Sequence, residues 1–293
     1  MLSFLFEQYG YYPSDFNDGK FFVDGWEFRL IKVDADADFV EKLDYYSKVV
    51  RDSFLGEGPY IVKTRKGEKI SYYDGQKYSL LCVRKTSITF NDLNKFHVLF
   101  SDSQVKIDLR EVLLTWQDRV SIIERESIVN LRVESPFYSS NLKNIMFCMG
   151  LCQNAVQYLS DVIQDYGSVL DHISLTHKRL NCLDSFDFFN PFNFILDHPA
   201  RDLAELYRND LIPFDILVAC FESYNFDVKV ASLFLARLMY SINVLDSVEE
   251  NVYSKGKNFK VDYSVKKEIN KIKKVYLYFK EKYNIRPIVW LEK

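Results

Sequence analysis

The spacing of apolar residues changes character once along this chain. Between residues 20 and 83 they alternate with polar positions or gather in short runs split by turn pairs, and from Asp92 onward they recur every three to four residues. KFFV (20–23) and WEFRLIKV (26–33) flank Asp24-Gly25. YIVKT (60–64) and EKISYY (68–73) flank a turn containing Lys66-Gly67, and Asp74-Gly75 leads into KYSLLCV (77–83). Asp-Gly between such runs predicts hairpins, because the pair accepts the positive φ of a tight turn. Alternation places Phe28, Leu30 and Lys32 on one face of the second strand. Between the second and third strands, residues 34–52 carry Phe39, Leu43, Tyr46 and Val50 at helical spacing. Strands, one helix and more strands predict an α+β lobe over residues 1–85.

The remainder, 86–293, predicts a larger, mainly helical lobe. Residues 107–125 place Leu109, Val112, Leu113, Trp116, Val120 and Ile123 on one stripe. A second long helix is expected over 139–166, capped near Ser139 or Ser140 and stopped at Gly167. Its apolar face would be Leu142, Ile145, Met146, Met149, Val156, Leu159 and Ile163. Further helices are expected at 200–212, 214–224, 227–248 and 263–282, with a polar connector at 255–260. Ile288, Trp290 and Leu291 near the end are expected to pack back on a lobe.

Composition removes several function classes. A net charge of -3 with both signs interspersed argues against a nucleic-acid partner held by charge. Cys82, Cys148, Cys152, Cys182 and Cys220 are an odd set without framework or zinc spacing, so buried thiols in a reduced setting are expected. Cys148 and Cys152, four apart on a predicted helix, would both face the core. The N-terminus MLSFLFEQYG has no basic region of a signal peptide, and no run approaches the roughly 20 apolar residues of a membrane span. The expectation is a cytoplasmic protein with no membrane partner. No P-loop or GxSxG motif occurs, and His97, His172, His177 and His198 do not form a metal spacing.

The chemistry gathers in HKRLNCLDSFDFFNPFNFILDHPARDLAE (177–205), a His followed by an aromatic loop and a turn into a helix. DHPARDLAELYR (197–208) resembles the GDPxxDLA segment of the aminoglycoside phosphotransferase/choline kinase superfamily. ITFNDLNKFHVLF (88–100) resembles that superfamily's helix after the hinge, while Trp116 and the final WLEK resemble features of its spore-coat-associated branch. The resemblance spans roughly residues 10–293. It implies a two-lobed protein-kinase-like fold, with a small β-rich N-lobe and a larger mainly helical C-lobe.

What the resemblance implies about the site can be set against what phosphoryl transfer needs, which is positioning and charge stabilisation. Lys32 stands where a strand Lys holds nucleotide phosphates, and Glu41 is its expected helical partner. His177 opens the run that resembles HGDxxxxN. Arg179 takes the place of the catalytic Asp, and Asp184 that of the metal-binding Asn. A guanidinium cannot accept a proton at physiological pH, and loss of the general base costs about 10²–10⁴ in rate. Aligned on PxxDLA, Asp197 falls at the Gly and His198 at the Asp of GDP; with a shortened loop, Asp197 is instead the metal ligand. Asp202 matches the Asp of DLA, whose family role is to brace the catalytic loop, and it also suits the first turn of a helix. No Gly-rich phosphate loop lies in residues 10–25.

Two functions follow. In the first the chain is a catalytically impaired pseudokinase, a binding or scaffold module with a protein partner in a coat assembly, Lys178 and Arg179 being available to a phosphate or an acidic peptide. In the second it is an ATP-dependent small-molecule phosphotransferase whose acids are rearranged onto Asp184, Asp187 and Asp197. ATP with magnesium is the cofactor in the second, and none is needed in the first.

Overall fold

A computed structural model of the chain describes residues 1–292 apart from 55, 57, 102, 103, 131–134, 255–259 and 262, and leaves the side chains of 127–130 and 251–254 undescribed. The chain opens with α1 (Leu2–Tyr9). β1 (Lys20–Val23) and β2 (Trp26–Lys32) form an antiparallel hairpin, with Lys20 opposite Arg29 and Val23 opposite Trp26. The turn closes because Asp24 and Gly25 both hold positive φ, 49° and 82°, the hand that matches strand twist.

α2 (Ala37–Ser53) follows, its N-terminus capped by Asp36, whose carboxylate accepts the Phe39 N–H at 2.8 Å. It buries Val40, Leu43, Ser47 and Val50, so the apolar stripe starts one residue later than expected and Phe39 is exposed. β3 (Tyr60–Val62), β4 (Ser71–Tyr73) and β5 (Gln76–Arg84) complete a five-stranded sheet of order β1-β2-β5-β3, with β4 also paired to β5. One sheet face packs Phe21, Phe28, Leu80 and Cys82 against Leu5 and Tyr9 of α1. α3 (Phe90–Leu99) begins with a reciprocal cap between Thr89 and Asp92.

Next come β6 (Ile107–Asp108), α4 (Leu109–Asn130), α5 (Tyr138–Tyr166) and β7 (Val169–Leu170), which pairs with β6. β8 (Ser174–His177), α6 (Ser185–Phe189), a 3₁₀ turn at Pro191–Asn193 and β9 (Phe194–Asp197) lead to α7 (Ala200–Arg208). The chain ends with α8 (Phe214–Ser223), α9 (Val228–Met239), α10 (Ile242–Ser254), α11 (Val265–Tyr283) and α12 (Val289–Glu292).

These elements form two compact units. One is Met1–Asp102 with Ser174–Leu211; the other is Ser103–Ile173 with Ile212–Lys293. The sheet and the segment 174–211 therefore belong to the same unit. In the second, α5 packs on α4 and α9, α9 on α11, and α10 on α4. Trp116 of α4 stacks on Tyr240 at 4.2 Å, and Arg119 pairs with Asp246 and Glu249 of α10.

Several helix expectations are corrected here. The helix expected over 227–248 is two, because Tyr240 turns to extended backbone at ψ 93° and the chain restarts at Ile242. α5 begins at Tyr138 without a side-chain cap, and Met146 on its expected apolar face is exposed, while Cys148 and Cys152 are buried as expected. All five cysteines are free. The expectation that no stretch reaches membrane-spanning character also changes. Val228–Glu250 is long and apolar enough, at mean hydropathy 1.4, but 78% of that window is buried inside the protein, which makes it core. Ile288 and Leu291 do pack back: Tyr276 accepts the Ile288 N–H and donates to Glu292. The connector expected at 255–260 lies, except for Lys260, outside the described residues.

Candidate functional site

The site is built on Asp202, in the first turn of α7 and fully buried. One carboxylate oxygen accepts the backbone N–H of His177 at 2.8 Å. The other faces Nδ1 of the same imidazole at 2.8 Å and Nε2 of His97 at 3.0 Å. The second ring nitrogen of His177 lies 2.8 Å from the carbonyl oxygen of Phe188, which can only accept. Both nitrogens therefore act as donors, and the ring is an imidazolium. Burial alone would pull its pKa down, but the Asp202 charge, the bond to it and the Phe188 carbonyl outweigh burial and raise it above the ordinary 6.5. For Asp202, burial pulls upward and the two histidines outweigh it, so the carboxyl is held well below its ordinary value. Phe96, stacked on the imidazolium at 5.0 Å, adds a cation–π face, with Phe188 and Phe194 beside it.

β8 and β9 carry the loop on this base, with His177 opposite Phe194 and Ser174 opposite Asp197. Arg201 spans the junction. Its Nε donates to the His177 carbonyl at 2.9 Å, one terminal nitrogen to Asp197 at 2.9 Å and the other to the Lys178 carbonyl at 3.2 Å. Asp197 also accepts the His198 N–H at 2.7 Å. Its carboxylate is thus bound to a guanidinium of its own chain, and His198 is spent accepting the Ala200 N–H that opens α7. Arg179 is half-buried, its N–H bonded to the Asn193 side chain and a guanidinium nitrogen donating to the Lys178 carbonyl at 2.6 Å. Asn193 also donates to the Arg179 carbonyl, and Lys178 donates its N–H to the Asn193 carbonyl, so that residue closes the loop from both sides.

Asp184 caps α6 by accepting the Asp187 N–H at 2.7 Å. The Cys182 thiol lies 3.3 Å from Asp184 and 2.9 Å from Asp187, and one ligand atom from each of the three falls within 4.8 Å of the others. Such a set can in principle hold a cation, but here a protonated thiol bridges the acids. Burial pushes that thiol up to about 12, and the hydrogen bond to Asp187 adds to it. Asp187 also lies 3.7 Å from Arg29 of β2, whose guanidinium sits over the Phe186 ring.

The Lys32–Glu41 pair is not formed. Lys32 is exposed and falls on the Phe28–Leu30 strand face, whose Phe28 packs against α1. Glu41 is bonded to Lys69, which also contacts Asp44. The opposite face of β2 carries Glu27 and Arg29, joined at 2.6 Å, and reaches α6. Sequence reasoning passed over Arg29, though the period-2 argument that put Lys32 with Phe28 also put Arg29 on the other face. It passed over Arg201 and Asn193 as well; the i,i+4 spacing of Asp197 and Arg201 was a local signal for their pair, whereas the contacts of Arg201 with the 177–178 carbonyls and of Asn193 with Arg179 come from the β8–β9 pairing.

With this geometry in place, the likenesses to known proteins can be weighed. Residues 4–279 match the family described as "Spore coat putative kinase YutH". The endospore coat-associated protein YutH of Bacillus subtilis (strain 168) is 25% identical over 191 residues, 58% of this chain and 55% of that protein, so the match spans about half of that relative's length. Among solved structures, a spectinomycin phosphotransferase in complex with ADP and spectinomycin is 14% identical, with 96% of this chain and 92% of that one covered and a TM-score of 0.56. An aminoglycoside phosphotransferase from Alicyclobacillus acidocaldarius is 13% identical, covering 92% and 91% with a TM-score of 0.47. The spectinomycin phosphotransferase shows the fold: this chain has the α+β architecture of the kinase-like phosphotransferases.

Proposed function

We propose that this chain, which belongs to the YutH family of spore-coat kinase-like proteins, keeps the kinase-like frame and acts as a binding or scaffold module in the coat rather than as a phosphotransferase. The observation that carries this reading is Arg179. It stands at the position of the general base, its backbone is fixed by Asn193 and its side chain is turned onto the Lys178 carbonyl. No proton can leave a substrate hydroxyl for a guanidinium. The acids offered for a rearranged site are engaged as well: Asp197 with Arg201, Asp187 with Cys182, and Asp184 in the cap of α6. Spore association is carried over from the descriptions of the family and of its Bacillus subtilis relative; a coat-protein partner is part of the proposal.

The test is turnover. Purified protein is incubated with ATP and either magnesium or manganese, with and without amino-alcohol and aminoglycoside acceptors, and ADP is measured. The expected outcome is ADP at the protein-free rate. Turnover near the roughly 1–100 s⁻¹ of ordinary kinases, abolished by Asp197→Ala, would sink the reading in favour of a rearranged enzyme.

A further inference from the structure

In a working site of this fold, nucleotide phosphates lie between the strand that supplies the phosphate-holding cation and the loop that carries the base. In this chain those two elements touch. The Arg29 guanidinium of β2 lies 3.9 Å from the centre of the Phe186 ring and 3.7 Å from the Asp187 carboxylate. Both residues belong to α6, in the loop that follows His177. The backbone just beyond β5 is taken by the same segment. The Thr86 N–H donates to the Ser185 hydroxyl at 3.3 Å, and Ser87 forms an antiparallel bridge with Asp184. Ser185, Phe186, Phe188 and Phe189 are all buried. Phe188 and Phe189 meet Phe54, at the end of α2, edge-on, and the Phe188 carbonyl is tied to the His177 imidazolium.

We propose that residues 182–189 are a built-in occupant of the nucleotide position and close it to ATP and ADP. This rests on the non-catalytic reading and extends it, because a kinase-like protein without a base can still hold nucleotide, whereas here the chain holds itself. The occupant matches the surfaces around it. The Phe186 ring lies under the Arg29 guanidinium, the Ser185 hydroxyl satisfies the Thr86 donor, and the Asp187 carboxylate lies beside Arg29. A nucleotide would have to break the Ser87–Asp184 bridge and expose Phe186 to enter. It would also bring its phosphates against Asp184 and Asp187.

The experiment is hydrogen exchange on the full chain, alongside calorimetry with ATP and ADP in magnesium and in manganese. The expected result is no binding heat at millimolar nucleotide, with slow exchange at Thr86 and Asp187 that nucleotide leaves unchanged. In the double variant Ser185→Ala/Phe186→Ala, Thr86 should exchange about tenfold faster or more as its cover opens, while the peptide containing His177 keeps its protection. Should the double variant not fold, Ser185→Ala alone keeps the Thr86 readout. Nucleotide binding to the unaltered protein, or Thr86 exchange indifferent to the variants, overturns the proposal. Binding without turnover overturns only this occlusion and leaves the non-catalytic reading standing; turnover overturns both.

Discussion

Replacing Asp202 with Asn should unfold this protein more readily than any change of similar size on its surface, and the cost can be worked from the contacts. The carboxylate accepts three hydrogen bonds: the His177 amide, the His177 ring and the His97 ring. A carboxamide keeps one acceptor and turns a donor toward two imidazole nitrogens. It also leaves the His177 imidazolium buried without its counter-charge. Breaking one side of a buried ion pair costs about 3–5 kcal/mol, and at about 2–4 °C per kcal/mol for chains of comparable size this lowers the melting midpoint by about 6–20 °C. The sign with pH follows from the two shifts. His177 is raised in the fold, so its share of stability is complete below its ordinary 6.5 and fades as pH climbs through the raised value. Asp202 is lowered, so its share is present above its ordinary 3.8 and is lost as acid takes pH through the depressed value. The gap between wild type and Asp202→Asn should therefore be widest between 3.8 and 6.5 and narrow in alkali. Urea unfolding across that range measures it, with Asp202→Asn/His177→Gln as the coupled control; the double variant should lose less than the two single losses together. A loss below about 1 kcal/mol, typical of a lone neutral hydrogen bond, or a gap that holds constant into alkali would refute the charged-hub argument.

Two other outcomes follow from the same loop. Cys182, its thiol pushed up to about 12, should resist iodoacetamide near neutral pH in the folded protein and react at the rate of a free thiol once urea unfolds it, as mass spectrometry of the 182-containing peptide will report; prompt labelling of the native chain would contradict the thiol–carboxylate contacts. Arg201→Lys keeps the charge but loses the fork that joins Asp197 to two carbonyls, and should cost about 1.5–3 kcal/mol with faster amide exchange around Lys178 and Arg179. An unchanged unfolding midpoint would show that the three bonds are dispensable.

The strands were legible because their signals are local. Asp-Gly pairs between short apolar runs placed β1, β2 and β5 to within one residue at each end, and β4 to within three. Periodicity found the helices but not the break at Tyr240, where stacking on Trp116, 124 positions away, coincides with the chain leaving the helix. The site divided in the same way. His177 and Asp202, which the structure joins, could be singled out because the pattern HxxxxxxD and the DLA segment are each contiguous in sequence. The partner of Glu41 was missed because Lys69 lies on another turn of the chain, brought close by the β4–β5 pairing. Lys32 was placed by its position in a motif. Alternation with Phe28 and Leu30 already put Arg29 on the opposite face of that strand, the face that reaches α6.

The residues that persist and those that differ from the superfamily pattern separate by burial. His177 and Asp202 lie at the centre of the unit, where loss of either leaves a charge or a backbone donor without a partner in a medium that does not forgive it. Arg179 and the edge of the loop at Asp184 lie where water reaches, so a changed side chain there costs little in folding free energy. On the non-catalytic reading proposed above, the loop edge is therefore where the base could be lost and Asp197 bound to Arg201 while the buried brace of His177 and Asp202 remains. That asymmetry explains how a motif can look half intact: its surviving half is the half the fold needs. The non-catalytic and occlusion proposals together predict that Arg179→Asp alone yields no ATP turnover, because Asp197 stays bound to Arg201 and Phe186 stays under Arg29; ADP release by that single variant would refute them.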